Sequence, residues 1–303
     1  MARKKKGSGY SWLLLLLGFV AGAGAALLLF RYMGPGEPSR PPVKPPSESI
    51  PAPEAPPLPP AEAPPVPETP APPEAVRPLV RPRLAIIIDD MGPDIKKLRE
   101  LLEVGGQLTV AVMPNMRDSG RISNLATARG LDVIMHMPME PRELLEHNPG
   151  GGALLVAMSP EEIRAKVEEG MKTVPDAIGL NNHMGSRFTE DEQRMREVLK
   201  VVKKKNMLFV DSRTTASSVA GRVARELGVR SADRNVFLDN TRDVEYIKNQ
   251  LREAARLAKR SGSAIAIGHP YPETIRALKE AVPALAADGV DVVGISEVVT
   301  PAR

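Results

Sequence analysis

Residues 84–90 read Leu84-Ala85-Ile86-Ile87-Ile88-Asp89-Asp90, with Gly92 close behind. An unbroken apolar run rich in β-branched residues, ending on a carboxylate pair, describes a strand buried on both faces, as in a parallel sheet or barrel. Downstream the period changes: over Asp94–Val104, Ile95, Leu98, Leu101 and Leu102 recur at helical spacing until Gly105-Gly106 stops them. The alternation then continues to the end of the chain. Strands are expected at 108–113, 132–135, 177–180, 208–210, 236–238, 264–267 and 290–293. Helices are expected at 122–129, 160–173, 190–205, 216–227, 244–260 and 272–286. Repeated strand–helix units imply parallel strands joined by right-handed crossovers. The expected fold is α/β, an irregular (β/α) barrel of about seven parallel strands filling Arg83–Arg303 as one domain.

Upstream of that domain the composition changes twice. Most of the chain's 31 prolines fall between Pro35 and Pro82, among Ala and Glu, so residues 34–82 form a disordered, proline-rich linker. Fully extended, such a spacer reaches roughly 150 Å at ~3.1 Å per residue. Before it, Trp12–Phe30 carries no charge and is long enough to cross a bilayer, with Trp12 and Tyr32 at its two ends. Residues 1–33 therefore read as a cytoplasmic tip and a transmembrane anchor. Arg3, Lys4, Lys5 and Lys6 precede the apolar run, which places the N-terminus inside and everything after Phe30 outside, in the periplasm or cell envelope. The competing reading is a cleavable signal peptide. Gly22-Ala23-Gly24-Ala25-Ala26 offers small residues, but Leu27-Leu28-Leu29-Phe30 carries the apolar run past them.

Composition excludes several functions. The chain has no cysteine, so disulfides, thiolate zinc sites and thiol nucleophiles are absent. Its net charge of +4 is matched by the N-terminal basic cluster alone, so no nucleic-acid partner is implied. Aromatic residues make up 3% of the chain, too few for an extended sugar-stacking platform. The oligomeric state is left open.

In parallel α/β folds, functional groups collect beyond the C-terminal ends of the strands. Here Asp89 and Asp90 follow the first strand, His136 the third, and Asn181, Asn182 and His183 the fourth. Asp211, Asp239 and His269 follow the next three, while His147 lies in a Gly/Pro-rich loop. Histidines and carboxylates converging on one barrel face suit a divalent cation, zinc above all, held with a position left open for water. One of the two adjacent aspartates could serve as base and the other as ligand, and a histidine opposite could protonate a leaving group. One aspartate could also cap the helix that begins near Pro93.

At these positions the domain resembles the polysaccharide deacetylase superfamily, in its divergent branch. The resemblance implies that Asp89 acts as base and Asp90 as metal ligand. The frame Ala128-Arg129-Gly130 through His136-Met137-Pro138-Met139-Glu140 fits a strand ending in the family's paired histidines. His136 matches the first, and Glu140 stands where the second belongs, either as a fourth ligand or, in a Met-Glu-Pro turn, as an exposed glutamate. Asn181-Asn182-His183-Met184-Gly185-Ser186-Arg187 replaces the family's arginine-bearing third motif, and His183 supplies the missing ligand. By the same resemblance, Asp211 is the acid-orienting carboxylate and His269 the general acid.

The function this implies is a metal-dependent deacetylase acting on an envelope polysaccharide or peptidoglycan. Two alternatives carry different chemistry. The barrel could bind an envelope glycan or protein without turning it over, or it could be a glycosidase using two carboxylates drawn from Asp89, Asp211 and Asp239.

Overall fold

A computed structural model describes residues 81–299. The anchor and residues 34–80 of the linker fall outside the described residues, and no described helix is long and apolar enough to cross a membrane. The elements are β1 (Arg83–Met91), α1 (Ile95–Leu102), β2 (Thr109–Val112), α2 (Ser119–Ala128), β3 (Asp132–Met139) and α3 (Pro160–Thr173). They continue with β4 (Gly179–Met184), α4 (Glu192–Lys204), β5 (Leu208–Asp211), α5 (Ala220–Leu227), β6 (Ser231–Asp233) and β7 (Val236–Phe237). Last come α6 (Val244–Ser261), β8 (Ser263–Gly268), α7 (Pro272–Ala287) and β9 (Asp291–Val293). Local chemistry sets the boundaries. Asp94 caps α1, Ser159 and Glu162 form a capping box ahead of Pro160 on α3, and left-handed Gly228 and Gly262 end α5 and α6.

Every strand pair is parallel, in the order β6-β5-β4-β3-β2-β1-β8-β7, and β9 pairs with the start of β1. The two edge strands β6 and β7 are consecutive in sequence and separated only by Arg234 and Asn235. Three Cα steps span at most ~11 Å, so the sheet has to curl until its edges nearly meet. The handover is visible in two successive amides: Arg234 N donates to Asp211 O of β5 at 3.0 Å, and Asn235 N donates to Ile265 O of β8 at 2.9 Å. The result is a curled parallel barrel with a seam between β6 and β7.

Side chains alternate across this wall. Leu84, Ile86 and Ile88 of β1 pack outward among the helices, with Met135, Met137 and Met139 of β3. Ala85, Ile87, Ala111, Ile134, Leu208, Val210, Ile265 and Ile267 fill the interior, where Ile295 and Val299 join them after β9. Burying both faces is what a continuous apolar strand requires.

Among the described residues the sheet holds nine strands, one more than the eight segments placed by pattern and two more than the barrel of about seven they implied. The strand that sequence reading missed is β6, Ser-Ala-Asp. It carries no large apolar residue, is half-buried or exposed, and exists because β5 offers it a ladder. Close packing inside the barrel gives a direct test at Gly179, paired with Leu208. A Cβ at Gly179 would stand 2.4 Å from Leu208 Cδ1 and 2.9 Å from its carbonyl oxygen. Gly179→Ala is expected to destabilise the domain by about 1–3 kcal/mol, read as a lower urea midpoint at unchanged slope; an unchanged midpoint would contradict this packing.

Candidate metal centre

The interior rows of the barrel, followed to their C-terminal ends, arrive at the polar cluster. Ala85 and Ile87 lead to Asp89, Ile134 to His136, Phe237 to Asp239, and Ile265 and Ile267 to His269. Period-two alternation carries each of these side chains to the mouth of the barrel. In the β3–β4 register, His136 lies opposite Asn181, and Pro138 opposite His183.

Asp90 is out of phase in a regular strand, because its side chain would follow Ile88 outward. Two local departures bring it back. The β1–β2 register slips between Ile88 and Met91, so one strand carries an extra residue, and Asp90 adopts a left-handed φ of 56°. That conformation costs a non-glycine residue about 1–2 kcal/mol. The turn beyond is pinned by Met113 N donating to Met91 O at 2.6 Å and Asp118 N donating to Gly92 O at 2.9 Å.

Asp90, His136 and His183 thereby converge. Asp90 Oδ1 is 3.3 Å from His136 Nε2 and 3.0 Å from His183 Nδ1, and the two nitrogens are 3.1 Å apart. Ligands held ~2.0–2.1 Å from a tetrahedral zinc ion lie roughly 3.3 Å from one another, so this triangle has the dimensions of one face of such a site. Asp90 Oδ1 is also shut off from solvent and accepts no hydrogen bond. A buried carboxylate oxygen without a donor is costly, and a cation among these three atoms would satisfy it. The residues present fit a divalent ion.

Asn181 organises the ligands from behind. Its Oδ1 accepts from His136 Nδ1 at 2.8 Å, which fixes the tautomer and leaves Nε2 as the free lone pair. Its Nδ2 donates to Asp89 Oδ1 at 2.9 Å and to Ser212 Oγ at 3.3 Å. Burial pushes the Asp89 carboxyl above its usual range against the pull of His136. Asp90 is shifted the other way: burial opposes ionisation, but the positive charge that His136 and His183 carry when protonated outweighs it and holds the carboxyl below the usual carboxylate range.

Across the mouth, His269 Nε2 lies 3.8 Å from Asp90 Oδ2. Asp239 holds this imidazole: Oδ1 is 3.0 Å from Nδ1, while Oδ2 accepts from the His269 backbone N at 2.6 Å and from Thr274 Oγ1 at 2.8 Å. Phe237 and Tyr271 flank the ring at 5.4 and 5.3 Å between centroids. Burial works against the charged imidazole, but Asp239 at hydrogen-bonding distance, with Asp89 and Asp90 beyond it, raises its pKa. The shift favours the charged form of the His269 imidazole.

Several expectations need correction. Asp211 does not orient His269; Asp239 does. Asp211 directly follows the inward-facing Val210, so it points the other way, and its oxygens accept from Arg213 N at 2.8 Å and Ser218 Oγ at 2.6 Å. Glu140 is buried, not exposed in a turn, and stands apart from the metal ligands. It accepts from Val156 N at 2.6 Å and pairs with Arg187 at 2.8 Å. Neither Asp89 nor Asp90 caps the following helix, since Asp94 accepts from Lys96 N and Asp118 accepts from Ile95 N. His147 is exposed in its loop, outside the cluster. Asp89, Asp90, His136, His183 and His269 are brought together. The roles of Asn181 and Asp239 were missed, and strand alternation was the signal that could have assigned them.

Comparison with known proteins places this arrangement. The divergent polysaccharide deacetylase family matches residues 86–299. An uncharacterized protein of Haemophilus influenzae is 38% identical over 213 residues, 70% of this chain and 75% of that one. The uncharacterized protein YibQ of Escherichia coli is 36% identical over 207 residues, 68% of this chain and 64% of its own length. A crystal structure of an uncharacterized protein from Agrobacterium tumefaciens shares the fold at a TM-score of 0.70 and 23% identity, covering 72% of this chain and 89% of that one.

The second layer of the site can be tested by zinc titration calorimetry. Asn181→Ala is expected to weaken zinc binding about 10–100-fold by freeing His136, whereas Glu140→Gln leaves it unchanged. Equal losses in both variants would contradict the assignment.

Proposed function

Because this chain belongs to the divergent polysaccharide deacetylase family, we propose that its barrel removes acyl groups from an envelope polysaccharide with the help of a divalent cation, most simply zinc. The observation that carries the reading is the donorless Asp90 Oδ1 between two imidazoles, with Asp89 Oδ1 3.6 Å from His136 Nδ1 and His269 Nε2 3.8 Å from Asp90 Oδ2. Asp90, His136 and His183 would hold the ion, which would lower the pKa of water and polarise the acyl carbonyl.

The chain's own groups account for the proton movements. Asp89, its basicity increased by burial, takes the proton from water as the oxygen bonds to the acyl carbon. His269, charged against Asp239, donates a proton to the departing amine nitrogen as the carbon–nitrogen bond breaks. An N-acetylated sugar would leave as an amine and acetate.

Residues 1–33 anchor the protein in the cytoplasmic membrane by a single span, and residues 34–82 tether the barrel outside it, within reach of peptidoglycan or another envelope glycan. A second reading, a barrel that binds glycan without turnover, is favoured by Glu140, which stands in the family frame of a histidine but is committed to Arg187.

One comparison separates the two readings. The full chain should hold one zinc per molecule and release acetate from N-acetylchitotetraose. Asp89→Asn should keep the metal and lose turnover by about 10²–10⁴-fold, while His136→Ala should lose both. Zinc without acetate release from any acylated glycan would favour the binding module, and a chain that takes up no zinc from excess would sink the hydrolase.

A further inference from the structure

We infer that Arg234 is a positioning residue, a latch across the barrel seam that holds Phe237 against the His269 ring and so sets how that imidazole faces Asp90. The inference rests on the hydrolase reading above, in which His269 is the general acid.

The seam is where the barrel lacks a ladder. Arg234 is the last residue bonded to β5, and its neighbour Asn235 is already committed to β8 through Ile265, by its amide and by Oδ1 accepting from Ile265 N at 2.7 Å. Its half-buried side chain turns back across the gap. Nε donates to Ser212 O at 2.7 Å and Nη2 to Arg213 O at 3.0 Å. These consecutive carbonyls are presented together by a turn in which Arg213 takes a left-handed φ of 51°. The guanidinium plane then lies 5.1 Å from the centre of the Phe237 ring. Only a flat fork can serve both carbonyls and stack at once; a lysine supplies the charge without the geometry.

Each end of the latch touches one half of the active site. Ser212 N donates to Asn182 Oδ1 at 2.9 Å, and Ser212 Oγ accepts from Asn181, which holds His136 and Asp89. Phe237 packs against the His269 ring, and the next residue, Leu238, donates its amide to Ile267 O at 2.8 Å. The β1–β8 ladder, which runs up to Ile88 and Gly268, already joins Asp89 to the strand that leads to His269; Arg234 closes the opposite edge, between the β5 turn and β7, where backbone pairing supplies no route. Proton donation to a leaving group tolerates little slack, so a seam free to open lets Phe237, and the imidazole it packs against, drift from that setting.

The test uses the full chain as wild type, Arg234→Met, Arg234→Lys, His269→Gln and the Arg234→Met/His269→Gln double variant. With N-acetylchitotetraose, Arg234→Met should lower kcat at least about tenfold, with KM and zinc content near wild type, and Arg234→Lys should restore part of it. Against His269→Gln the same substitution should cost less than about twofold, because the group it positions is already gone. Independent, multiplying losses, or loss of zinc in Arg234→Met, would overturn the assignment. Hydrogen exchange supplies an arm that needs no turnover. Peptides covering 236–240 and 266–271 should exchange faster in Arg234→Met while 132–139 stays protected. Uniform acceleration, or none at the seam, overturns the latch. A wild type that releases no acetate defeats the hydrolase reading alone, and the exchange pattern then decides the role of Arg234.

Discussion

A single inserted residue at the end of β1 governs the chemistry of this barrel. The slip between Ile88 and Met91 lets two adjacent carboxylates serve one site: Asp89 keeps the inward phase of Ala85 and Ile87, and Asp90 is turned back by its left-handed backbone. Without the bulge one of them would face the helices. Gly92, at φ 144°, lets the chain leave tightly, since a Cβ there would meet Met113 O at 3.1 Å. Strain at Asp90 persists because the flanking hydrogen bonds and the apolar strand behind it leave no easier path.

Once side by side, the two carboxylates are driven apart in acidity. Asp89 is fully enclosed and accepts a neutral amide from Asn181, so burial prevails and its proton affinity rises. Asp90 faces two imidazoles and stays ionised. In the proposed mechanism a base and a ligand are thus drawn from the same residue type by environment alone, in the manner general to paired carboxylates. Asn181 is the hinge of that separation, touching His136 with one end of its amide and Asp89 with the other.

Most of the fold was legible because its local signals agree. Leu84–Ile88 is an apolar run that only a two-sided core can absorb, and Pro160–Thr173 begins at Ser159 with a complete capping box. The Asp89-Asp90 pair, His136 and His269 were legible as strand-end residues, and the role of His183 came through family resemblance. What escaped depended on long-range packing. β6 has no pattern of its own and forms only because β5 is there to pair with it. Asp211 looked equivalent to Asp239 because each ends a short strand; phase against Val210 and Phe237 separates them, and phase is hard to read from strands of two to four residues. Glu140 reads as exposed in a Met-Glu-Pro turn until Arg187, 47 positions away, is folded against it.

The pairing of β1 also bears on how the molecule is made. Arg83 lies opposite Ser263 of β8 and Asp291 of β9, so the first strand of the domain to leave the ribosome gains partners on one edge early and on the other only when synthesis is nearly complete. Until then a strand of almost unbroken aliphatic residues waits with an open edge, the condition most prone to wrong pairing. Closing such distant contacts is slow. The first strand of the domain is therefore among the last to be fully paired, although it lies at the centre of the sheet.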